Sequence, residues 1–244
     1  MPSPSADQIE VVPFSLEIDA TELATCEAAL SDDERARAAR FVKPDLHRRF
    51  VAARGRLRQL LAERLHATAA ELRFDYNAHG KPRLAGDLAG ALEFNLSHSG
   101  EAAVAAFSSV GPVGVDIERI RTCVDHRGLA RRFFSDAENR LLNDLSGDPQ
   151  REAFFAIWTR KEAVIKALGV GLSLPLDRFS VGYAAEDTTI RWHGEVPQHD
   201  AATLPIAELQ TPKIELPRMW QLTYRAAVAY TSPRSATQRV PGRG

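Results

Sequence analysis

The chain has 244 residues, 44% of them hydrophobic and 26% charged, which is ordinary for a globular protein, and its net charge of −1 argues against general nucleic-acid binding. Its two cysteines, Cys26 and Cys123, are too few for a disulfide framework or a cysteine-based zinc site, and free thiols suit a cytoplasmic protein. We expect neither a signal peptide after Met1 nor a membrane-spanning segment, because no apolar stretch has the required length.

The first half of the chain alternates between strand-like and helix-like patterns. β-Branched and aromatic residues predict a strand over Ile9–Ile18, and apolar residues at helical spacing predict helices over Ala20–Arg40 and Leu46–Leu65. The stretch Phe74–Pro82 is typical of a strand end that runs into a turn. Three short strands separated by Ser/Gly and Gly/Pro groups are expected to form an antiparallel meander: Leu92–Leu96, Ala102–Phe107 and Val113–Glu118.

The second half repeats this plan loosely. A helix is predicted over Ser135–Leu145, where Ser135 acts as the N-cap and Glu138 completes a capping box. Another helix is predicted over Asp148–Leu168 and ends at Gly169. Strand-like segments follow at Phe179–Tyr183, Thr188–His193 and Trp220–Tyr230.

Helices followed by strands in both halves predict an α+β fold made of two similar subdomains. We place the boundary near Val110–Gly114, so that residues 1–110 form the N-terminal subdomain and residues 111–231 the C-terminal one. The tail, residues 232–244, is rich in Pro, Gly, Ser and Arg and is expected to be disordered.

A basic run lies early in the chain. Residues 35–58 contain nine Lys or Arg and a single acid, Asp45. Such a run is typical of a solvated helix face, and an anion site for a phosphate-rich ligand is the alternative. Position along the chain does not decide between these interpretations.

Two carboxylates alternate with apolar residues in Val113–Glu118. On a strand, Asp116 and Glu118 point to one face while the three apolar residues between and before them point to the other. Residues two apart on one face lie about 6–7 Å apart along the backbone, so both carboxylates can reach one cation. A strand with a polar, solvated face gives the same pattern, and the motif alone does not exclude it.

The helix predicted over Asp148–Leu168 combines an apolar stripe with two charged residues. Phe154, Trp158, Ile165 and Leu168 recur at helical spacing, whereas Phe155, Glu162 and Lys166 lie on an adjacent face. Glu162 and Lys166 are one turn apart, so an exposed ion pair explains them. A metal–phosphate site explains them as well, with the carboxylate on the cation and the ammonium on phosphate oxygens.

A third polar group is expected on a tight turn between two strands. It contains Asn95, Ser97, His98 and Ser99, whose hydroxyl and backbone N–H groups could face a phosphate. An ordinary Ser/Gly turn with a surface histidine is the alternative. The spacing fits neither a Ser–His–Asp triad nor the glycine patterns of P-loop or dinucleotide-binding proteins.

Taken in order, these groups resemble one family. Gly80-Lys81-Pro82, Asn95-Leu96-Ser97-His98-Ser99, Gly114-Val115-Asp116-Ile117-Glu118, Phe133-Phe134-Ser135 and Trp158-x-x-Lys161-Glu162-Ala163-x-x-Lys166 resemble the Sfp-type 4′-phosphopantetheinyl transferases. The Trp and Lys-Glu-Ala form is similar to the W/KEA subgroup, and the resemblance covers about residues 37–181. It implies a pseudo-dimer of two α+β subdomains with the active site in the cleft between them.

The resemblance also implies a reaction and its residues. A member of this family transfers the 4′-phosphopantetheine group of coenzyme A to a serine of an acyl or peptidyl carrier protein and releases 3′,5′-ADP, using Mg²⁺. The N-terminal subdomain supplies nucleotide contacts and the C-terminal one the metal and catalytic residues. By match to the family motifs, the metal ligands are Asp116, Glu118 and Glu162, the catalytic residues are Glu162 and Lys166, and the coenzyme A-binding residues are Arg54, Lys81, Ser97, His98, Asp116 and Lys166.

The family match leaves several residue roles open. Glu162 is expected to accept the serine proton, directly or through a bound water, because metal contact lowers its basicity. Glu138 is interpreted as a helix cap first and a catalytic acid second, and Arg37 and Arg49 are placed less securely than Arg54. Ile117 cannot be a metal ligand, so it adds nothing to the metal site.

Two other functions remain possible from the sequence: a coenzyme A- or carrier-binding scaffold without turnover, and a different Mg²⁺-dependent enzyme that cleaves pyrophosphates. The carrier could serve fatty acid, polyketide, non-ribosomal peptide or lysine metabolism. Arg131 and Arg132 with exposed apolar groups around Phe133 and Phe134 could dock it, or those phenylalanines could simply bury a helix end. A pseudo-dimer supplies both halves of its cleft, so a monomer is expected.

Overall fold

The computed structural model describes residues 9–184, 187, 189–194, 209–210, 216–217, 220–221 and 223–231. In chain order its helices and strands are β1 (Ile9–Ser15), α1 (Ala20–Ala28), α2 (Asp32–Ala38), α3 (Pro44–Leu65), β2 (Phe74–Tyr76), β3 (Pro82–Leu84), β4 (Glu93–Ser99), β5 (Ala102–Ser108), β6 (Val113–Arg119), α4 (His126–Phe133), α5 (Asp136–Asn143), α6 (Gly147–Leu168), β7 (Phe179–Val181), β8 (Ile190–Trp192), β9 (Leu209–Gln210) and β10 (Tyr224–Thr231). Runs of helices are followed by runs of antiparallel strands in both halves, which confirms the predicted α+β class.

One sheet belongs to the first half of the chain. Its central strand is β5, which pairs antiparallel with β1 on one edge and with β4 on the other. Helix α3 covers one face, where Leu57 and Leu61 join Phe94 and Phe107 in a buried cluster. Every residue of β5 is buried, so this sheet is covered on both faces.

The second sheet, in the order β6–β10–β9, corrects the predicted three-strand meander. Strand β6 pairs antiparallel with β10 and not with β5, although β5 immediately precedes it. The reason is that β1 and β4 already occupy both edges of β5. Strand β6 instead lies against the face of the first sheet, where Val113, Val115 and Ile117 pack on the small side chains of Ala102 and Ala106.

The long helix predicted over Ala20–Arg40 is wrong, because the chain forms α1 and α2 with a short break between them. Ser31 begins α2 as an N-cap in extended conformation, and the Glu34 side chain reaches back to its backbone N–H at 3.2 Å. A capping box of this kind satisfies the backbone groups at a new helix start, so it favours the break over a continuous helix.

The predicted helix signals of the second half are confirmed. The Ser135 hydroxyl accepts from the N–H of Glu138, whose carboxylate accepts from the N–H of Ser135 at 2.9 Å. Helix α6 ends at Gly169, which adopts a φ of +67° that favours glycine. Trp158 is only half-buried, but the rest of the predicted apolar stripe lies in the core.

Gly114 allows β6 and α6 to lie unusually close together. A Cβ at this position would lie 2.1 Å from the carbonyl oxygen of Ala163 and 2.2 Å from the backbone nitrogen of Ala167. No side chain fits there, so the glycine determines how near the helix approaches the strand.

Some predictions concern segments outside the described residues. They include the tail at residues 232–244, which is predicted to be disordered, and Thr188, where a strand is predicted to begin. Cys26 is buried and Cys123 is exposed, and both are free thiols. Over the part of the chain that the structure covers, no helix has both the length and the apolarity needed to cross a bilayer.

Candidate active site

The two carboxylates of β6 share one face of the strand, as the alternation predicts, and that face meets α6. Asp116 is 3% exposed and Glu118 is half-buried, whereas the apolar residues of the strand face the first sheet. The alternative of a solvated polar face is therefore wrong for this strand. A buried carboxylate needs partners that compensate for lost hydration, and α6 and β4 supply them.

Asp116 is held from two sides. Lys166, in the last turn of α6, donates from Nζ to Asp116 Oδ1 at 2.6 Å, and the Ser97 hydroxyl donates to the same oxygen at 2.9 Å. Lys166 Nζ also lies 2.9 Å from Ser97 Oγ, which closes a three-membered network. The alternative of an exposed ion pair between Glu162 and Lys166 is therefore wrong, since Lys166 pairs with Asp116.

The other oxygen of Asp116 has no partner among the described residues. Asp116 Oδ2 is buried and makes no hydrogen bond to them, which is costly for a charged oxygen unless something else binds it. Glu118, on the same face, accepts a hydrogen bond from the Ser99 hydroxyl at 2.9 Å through Oε2. Burial, and then the charge of Asp116, raise the pKa of Glu118.

Glu162 completes an acidic group around the end of α6. Its pKa is raised to about 7, mainly by burial and then by the charge of Asp116, while the charge of Lys166 opposes this increase only in part. In the part of the chain that the structure describes, Lys166 is the one ammonium paired directly with any of the three carboxylates. Among the described residues, however, no three Asp, Glu, His or Cys side chains already enclose a cation.

A pocket of about 300 Å³ opens beside this acidic group. Residues from both halves of the chain line it: His79, Gly80, Lys81, Pro82, Asn95, Leu96, Glu162, Ile165, Lys166, Gly169, Gly171 and Leu172. Leu172 is 73% exposed at its rim. The pocket combines the ammonium of Lys166 and the carboxylate of Glu162 with apolar walls, which suits a ligand that carries both phosphate and less polar groups.

Lys81 and Asn77 connect the turn before β3 to the end of α6. Lys81 donates from Nζ to the carbonyl oxygens of Ala167 at 2.9 Å and Val113 at 3.2 Å, and Asn77 donates from Nδ2 to that of Gly169 at 2.7 Å. These contacts satisfy carbonyls that the helix end leaves free. Burial lowers the pKa of Lys81 to about 8. Its predicted role as a coenzyme A contact stays a prediction.

Ser97 and His98 lie within β4 and not on the tight turn that the sequence predicts. The turn follows at Gly100, whose φ is +60°. Withdrawal from water lowers the pKa of His98, and the nearby cations Lys166 and Arg49 lower it further. His98, Lys166 and Arg49 therefore form a group of basic side chains at the edge of the acidic site.

Arg54 has structural partners. Its guanidinium forms an ion pair with the buried carboxylate of Glu34, donates to the Tyr76 hydroxyl at 2.9 Å and lies 4.5 Å from the centroid of the Phe74 ring. Glu34 also pairs with Arg58, which is fully buried. The role of Arg54 as a coenzyme A ligand remains a prediction. Its bonds to Glu34 and Tyr76 would compete with a bond to coenzyme A.

Lys161 and Glu138 form a second, separate charged pair. Lys161 is fully buried, lies 2.8 Å from Glu138 Oε2 and donates to the carbonyl oxygens of Leu176 and Phe179. Glu138 in turn accepts from the N–H of Val181 at 2.9 Å. This pair ties α5 and α6 to β7, which supports the interpretation of Glu138 as a structural cap.

The predicted docking face of α4 needs one correction. Phe134 is 3% exposed and stacks on Phe154, so it belongs to the core and not to an exposed apolar surface. Phe133 is half-buried against Trp158, and only Arg131 and Arg132 of this group are exposed. The phenylalanines bury a helix end, as the alternative interpretation has it.

The sequence reasoning did not single out Asn77, which ties down α6, and it named Asn95 and Ser99 only as members of the third polar group, without their partners. Ser99 binds Glu118, and Asn95 Oδ1 accepts from the N–H of Val115 at 2.9 Å. A usable signal existed for these two, because Asn95, Ser97 and Ser99 place polar groups at alternate positions of one strand.

Two family profiles together match most of the chain. The profile described as the 4′-phosphopantetheinyl transferase superfamily matches residues 112–212, and the profile described as 4′-phosphopantetheinyl transferase, N-terminal, matches residues 18–110. Both sides of the pocket thus fall within matched regions.

Curated relatives agree with the profiles. The chain is 39% identical over 169 residues to the 4′-phosphopantetheinyl transferase HetI of Nostoc sp., an alignment that covers 69% of this chain and 71% of the relative. It is 38% identical over 171 residues to the 4′-phosphopantetheinyl transferase ffp of Bacillus subtilis, covering 70% and 72%. It is 37% identical over 153 residues to the 4′-phosphopantetheinyl transferase Sfp of the same species, covering 62% and 66%.

Proposed function

The chain belongs to the 4′-phosphopantetheinyl transferase superfamily, and we propose that it transfers the phosphopantetheine group of coenzyme A to a serine of an acyl or peptidyl carrier protein. It is an enzyme of the transferase type that its relatives are named for. The observation that carries the proposal is the group of Asp116, Glu118, Glu162 and Lys166 beside one pocket, with an unpartnered oxygen on Asp116.

We propose a pseudo-dimer with coenzyme A in the cleft between its halves. Two observations support this arrangement. The two three-stranded sheets divide between β5 and β6, close to the predicted boundary, and both chain halves line the pocket. Sites of this kind commonly lie between domains because each side contributes separate groups.

Mg²⁺ fits the acidic group. We propose Asp116, Glu118 and Glu162 as its ligands, because hard cations prefer carboxylate oxygens and Asp116 Oδ2 has no partner within the described ranges. The raised pKa of Glu162 and of Glu118 reflects carboxylates that lack compensating charge, as a cation site requires. Bound Mg²⁺ supplies charge neutralisation for the pyrophosphate of coenzyme A.

The groups of the chain then orient the reaction. The serine hydroxyl of the carrier attacks the β-phosphorus of coenzyme A, the new P–O bond forms, and the bond to the leaving 3′,5′-ADP breaks. We assign Lys166 to the oxygens of the transferred phosphate, since its ammonium lies at the pocket and its neighbours are fixed. Positioning and electrostatics carry most of the rate in reactions of this type.

Glu162 is our candidate for the group that accepts the serine proton. Its pKa of about 7 in the cation-free site is close to the pH at which a base is most effective. A cation at the same carboxylate lowers that pKa, and a bound water between Glu162 and the hydroxyl is the alternative route for the proton.

Basic groups of the first half of the chain are candidates for the remaining phosphates. We assign the 3′-phosphate to the neighbourhood of His98 and Arg49, whose charges already act on each other. Arg49 suits this role better than Arg54, because Arg54 is bonded to Glu34 and Tyr76. Anions bound by Arg in a bidentate manner gain both energy and orientation.

Intact-mass spectrometry of an apo carrier protein incubated with this chain, coenzyme A and Mg²⁺ tests the proposal. We expect the carrier to gain one phosphopantetheine. A Glu162→Gln variant should abolish the gain, whereas Glu152→Gln, which changes an exposed glutamate of the same helix, should retain it.

Two results would separate the alternatives. If several unrelated carriers gain nothing while coenzyme A still binds, transfer is wrong and a scaffold without turnover is favoured. If coenzyme A is consumed when no carrier is present, the chain is a pyrophosphate-cleaving enzyme instead.

A further inference from the structure

The two sheets meet along β4 and β6 without sharing backbone hydrogen bonds. Strand β6 uses one edge to pair with β10, which leaves its other edge facing β4. On that edge every second N–H points towards the first sheet, and a buried N–H without a partner is costly. The partners come from side chains of β4.

Three side chains at alternate positions of β4 accept these bonds. Asn95 Oδ1 accepts from the N–H of Val115 at 2.9 Å, Ser97 Oγ from that of Ile117 at 3.4 Å, and Ser99 Oγ from that of Arg119 at 3.1 Å. We name Asn95, Ser97 and Ser99 the side-chain ladder. It fixes how far β6 slides along β4, because each rung accepts from one particular N–H.

Two rungs of the ladder also hold the acidic pair. The Ser97 hydroxyl donates to Asp116 at 2.9 Å, and the Ser99 hydroxyl donates to Glu118 at 2.9 Å. Each serine thus binds a carboxylate and the backbone N–H of the residue that follows it. The orientation of each carboxylate is therefore tied to the register between the two sheets.

We propose that Ser97 and Ser99 are positioning residues, which aim the carboxylates of Asp116 and Glu118 at the bound cation through the side-chain ladder. The proposal rests on the proposed function, because it takes these carboxylates as cation ligands. Hydrogen bonds to a ligating carboxylate fix its orientation, and losing such a partner weakens metal binding about 10–100-fold in known sites.

Ser99 gives the cleaner test, since Ser97 is also a predicted coenzyme A contact. Mn²⁺ alone is titrated into the full-length, metal-free chain, and the free ion is followed by its electron paramagnetic resonance signal. We expect Ser99→Ala to weaken Mn²⁺ binding about tenfold or more, as loss of a partner hydrogen bond does. Ser99→Thr keeps the hydroxyl and should bind Mn²⁺ like the wild type.

Ser108→Ala is the matched control. Ser108 is buried at the end of β5, and its hydroxyl accepts from the N–H groups of Val110 and Gly111 but has no hydrogen bond to a carboxylate of the described residues. Its loss should lower the unfolding midpoint in urea and leave Mn²⁺ affinity unchanged. A purely structural role for Ser99 would give Ser99→Ala the same behaviour.

Wild-type Mn²⁺ affinity in Ser99→Ala would overturn the proposal, whatever the variant does to stability. So would equal weakening in Ser99→Ala and Ser99→Thr, because the hydroxyl would then be irrelevant. If the wild type binds no Mn²⁺, the proposal fails together with the cation site, and the carrier transfer assay then reports separately whether the proposed function stands.

Discussion

Lys161 and Lys166 belong to the same helix, yet their surroundings assign them different tasks. Lys161 is fully buried beside Glu138 and two carbonyl oxygens, where it can only hold α5 and β7 in place. Lys166 keeps 29% of its side chain exposed, lies against Asp116 and lines the pocket. Burial and partners thus distinguish a structural lysine from one that can meet a phosphate.

Replacing Lys161 by Met should destabilise the fold strongly. The variant leaves the buried carboxylate of Glu138 without its cation, and breaking a buried pair in this way costs about 3–5 kcal/mol. Urea unfolding of the purified chain measures the loss. Adding Glu138→Gln should recover part of the lost stability. A loss near zero in Lys161→Met alone would contradict the structural role of Lys161.

The raised pKa of Glu162 predicts a pH dependence of stability in the metal-free protein. In the native state the Glu162 carboxyl keeps its proton up to about pH 7, whereas in the unfolded state it loses the proton near pH 4.5. The free energy of unfolding therefore falls as pH rises from about 4.5 to 7. The total effect is about 3 kcal/mol at most, since one pKa unit corresponds to about 1.4 kcal/mol.

Glu162→Gln removes this titration, so in urea unfolding the variant should gain stability relative to the wild type between pH 5 and pH 8. With Mg²⁺ at pH 8 the wild type should become more stable than Glu162→Gln, because only the wild type has the Glu162 charge for the cation to compensate. Glu152→Gln is the matched control on the same helix. A stability difference that does not change with pH would contradict the assignment.

At the scale of elements, the contact between β6 and α6 determines the acidic site. Helix α6 carries Glu162 and Lys166, strand β6 carries Asp116, and Gly114 lets their backbones touch. A close-packed interior tolerates little displacement, so the distance between these elements sets whether the charged groups meet.

Gly114→Ala should therefore affect both stability and the site. Its Cβ would overlap the backbone of α6, and overpacking of this kind costs about 1–3 kcal/mol. The displaced helix should also weaken Mn²⁺ binding, which titration of the metal-free variant measures.

Gly55→Ala provides the comparison for that variant, because a Cβ there would lie 2.3 Å from the carbonyl oxygen of Cys26 in the contact of α1 with α3. It should cost similar stability without a change in Mn²⁺ affinity. Equal effects of both variants on Mn²⁺ binding would show that the β6–α6 contact has no particular role.

At the scale of the whole molecule, the two chain halves meet at the side-chain ladder and again at the end of α6. Asn77 and Lys81 come from the first half, and both donate to carbonyls at the C-terminus of a second-half helix. The same helix end carries Lys166. The position of that ammonium therefore depends on contacts from both halves.

Asn77→Asp should loosen the end of α6. The variant keeps the side-chain oxygen that accepts from the N–H groups of His79 and Lys81, but it loses the donor to Gly169. A lost hydrogen bond of this kind costs about 1 kcal/mol. Hydrogen exchange should become faster in the last turn of α6. Unchanged protection of these amides would show that the Asn77 hydrogen bond does not hold the helix end.

The sequence by itself determined the features that depend on neighbouring residues. The capping box of Ser135 and Glu138, the helix end at Gly169 and the alternation of Asp116 and Glu118 are local patterns, and the structure confirms each. The α+β class and the family follow from such patterns taken in order, and the profiles agree.

Only the tertiary structure decided which distant segments meet. It paired β6 with β10 because β5 has no free edge, buried Lys161 while leaving Lys166 at the pocket, and bound Ser99 to Glu118. The break between α1 and α2 and the alternate polar positions of β4 were missed local signals, but no local signal shows which element each side chain meets. Spacing along a chain fixes distances within one element, whereas distances between elements depend on how whole faces pack.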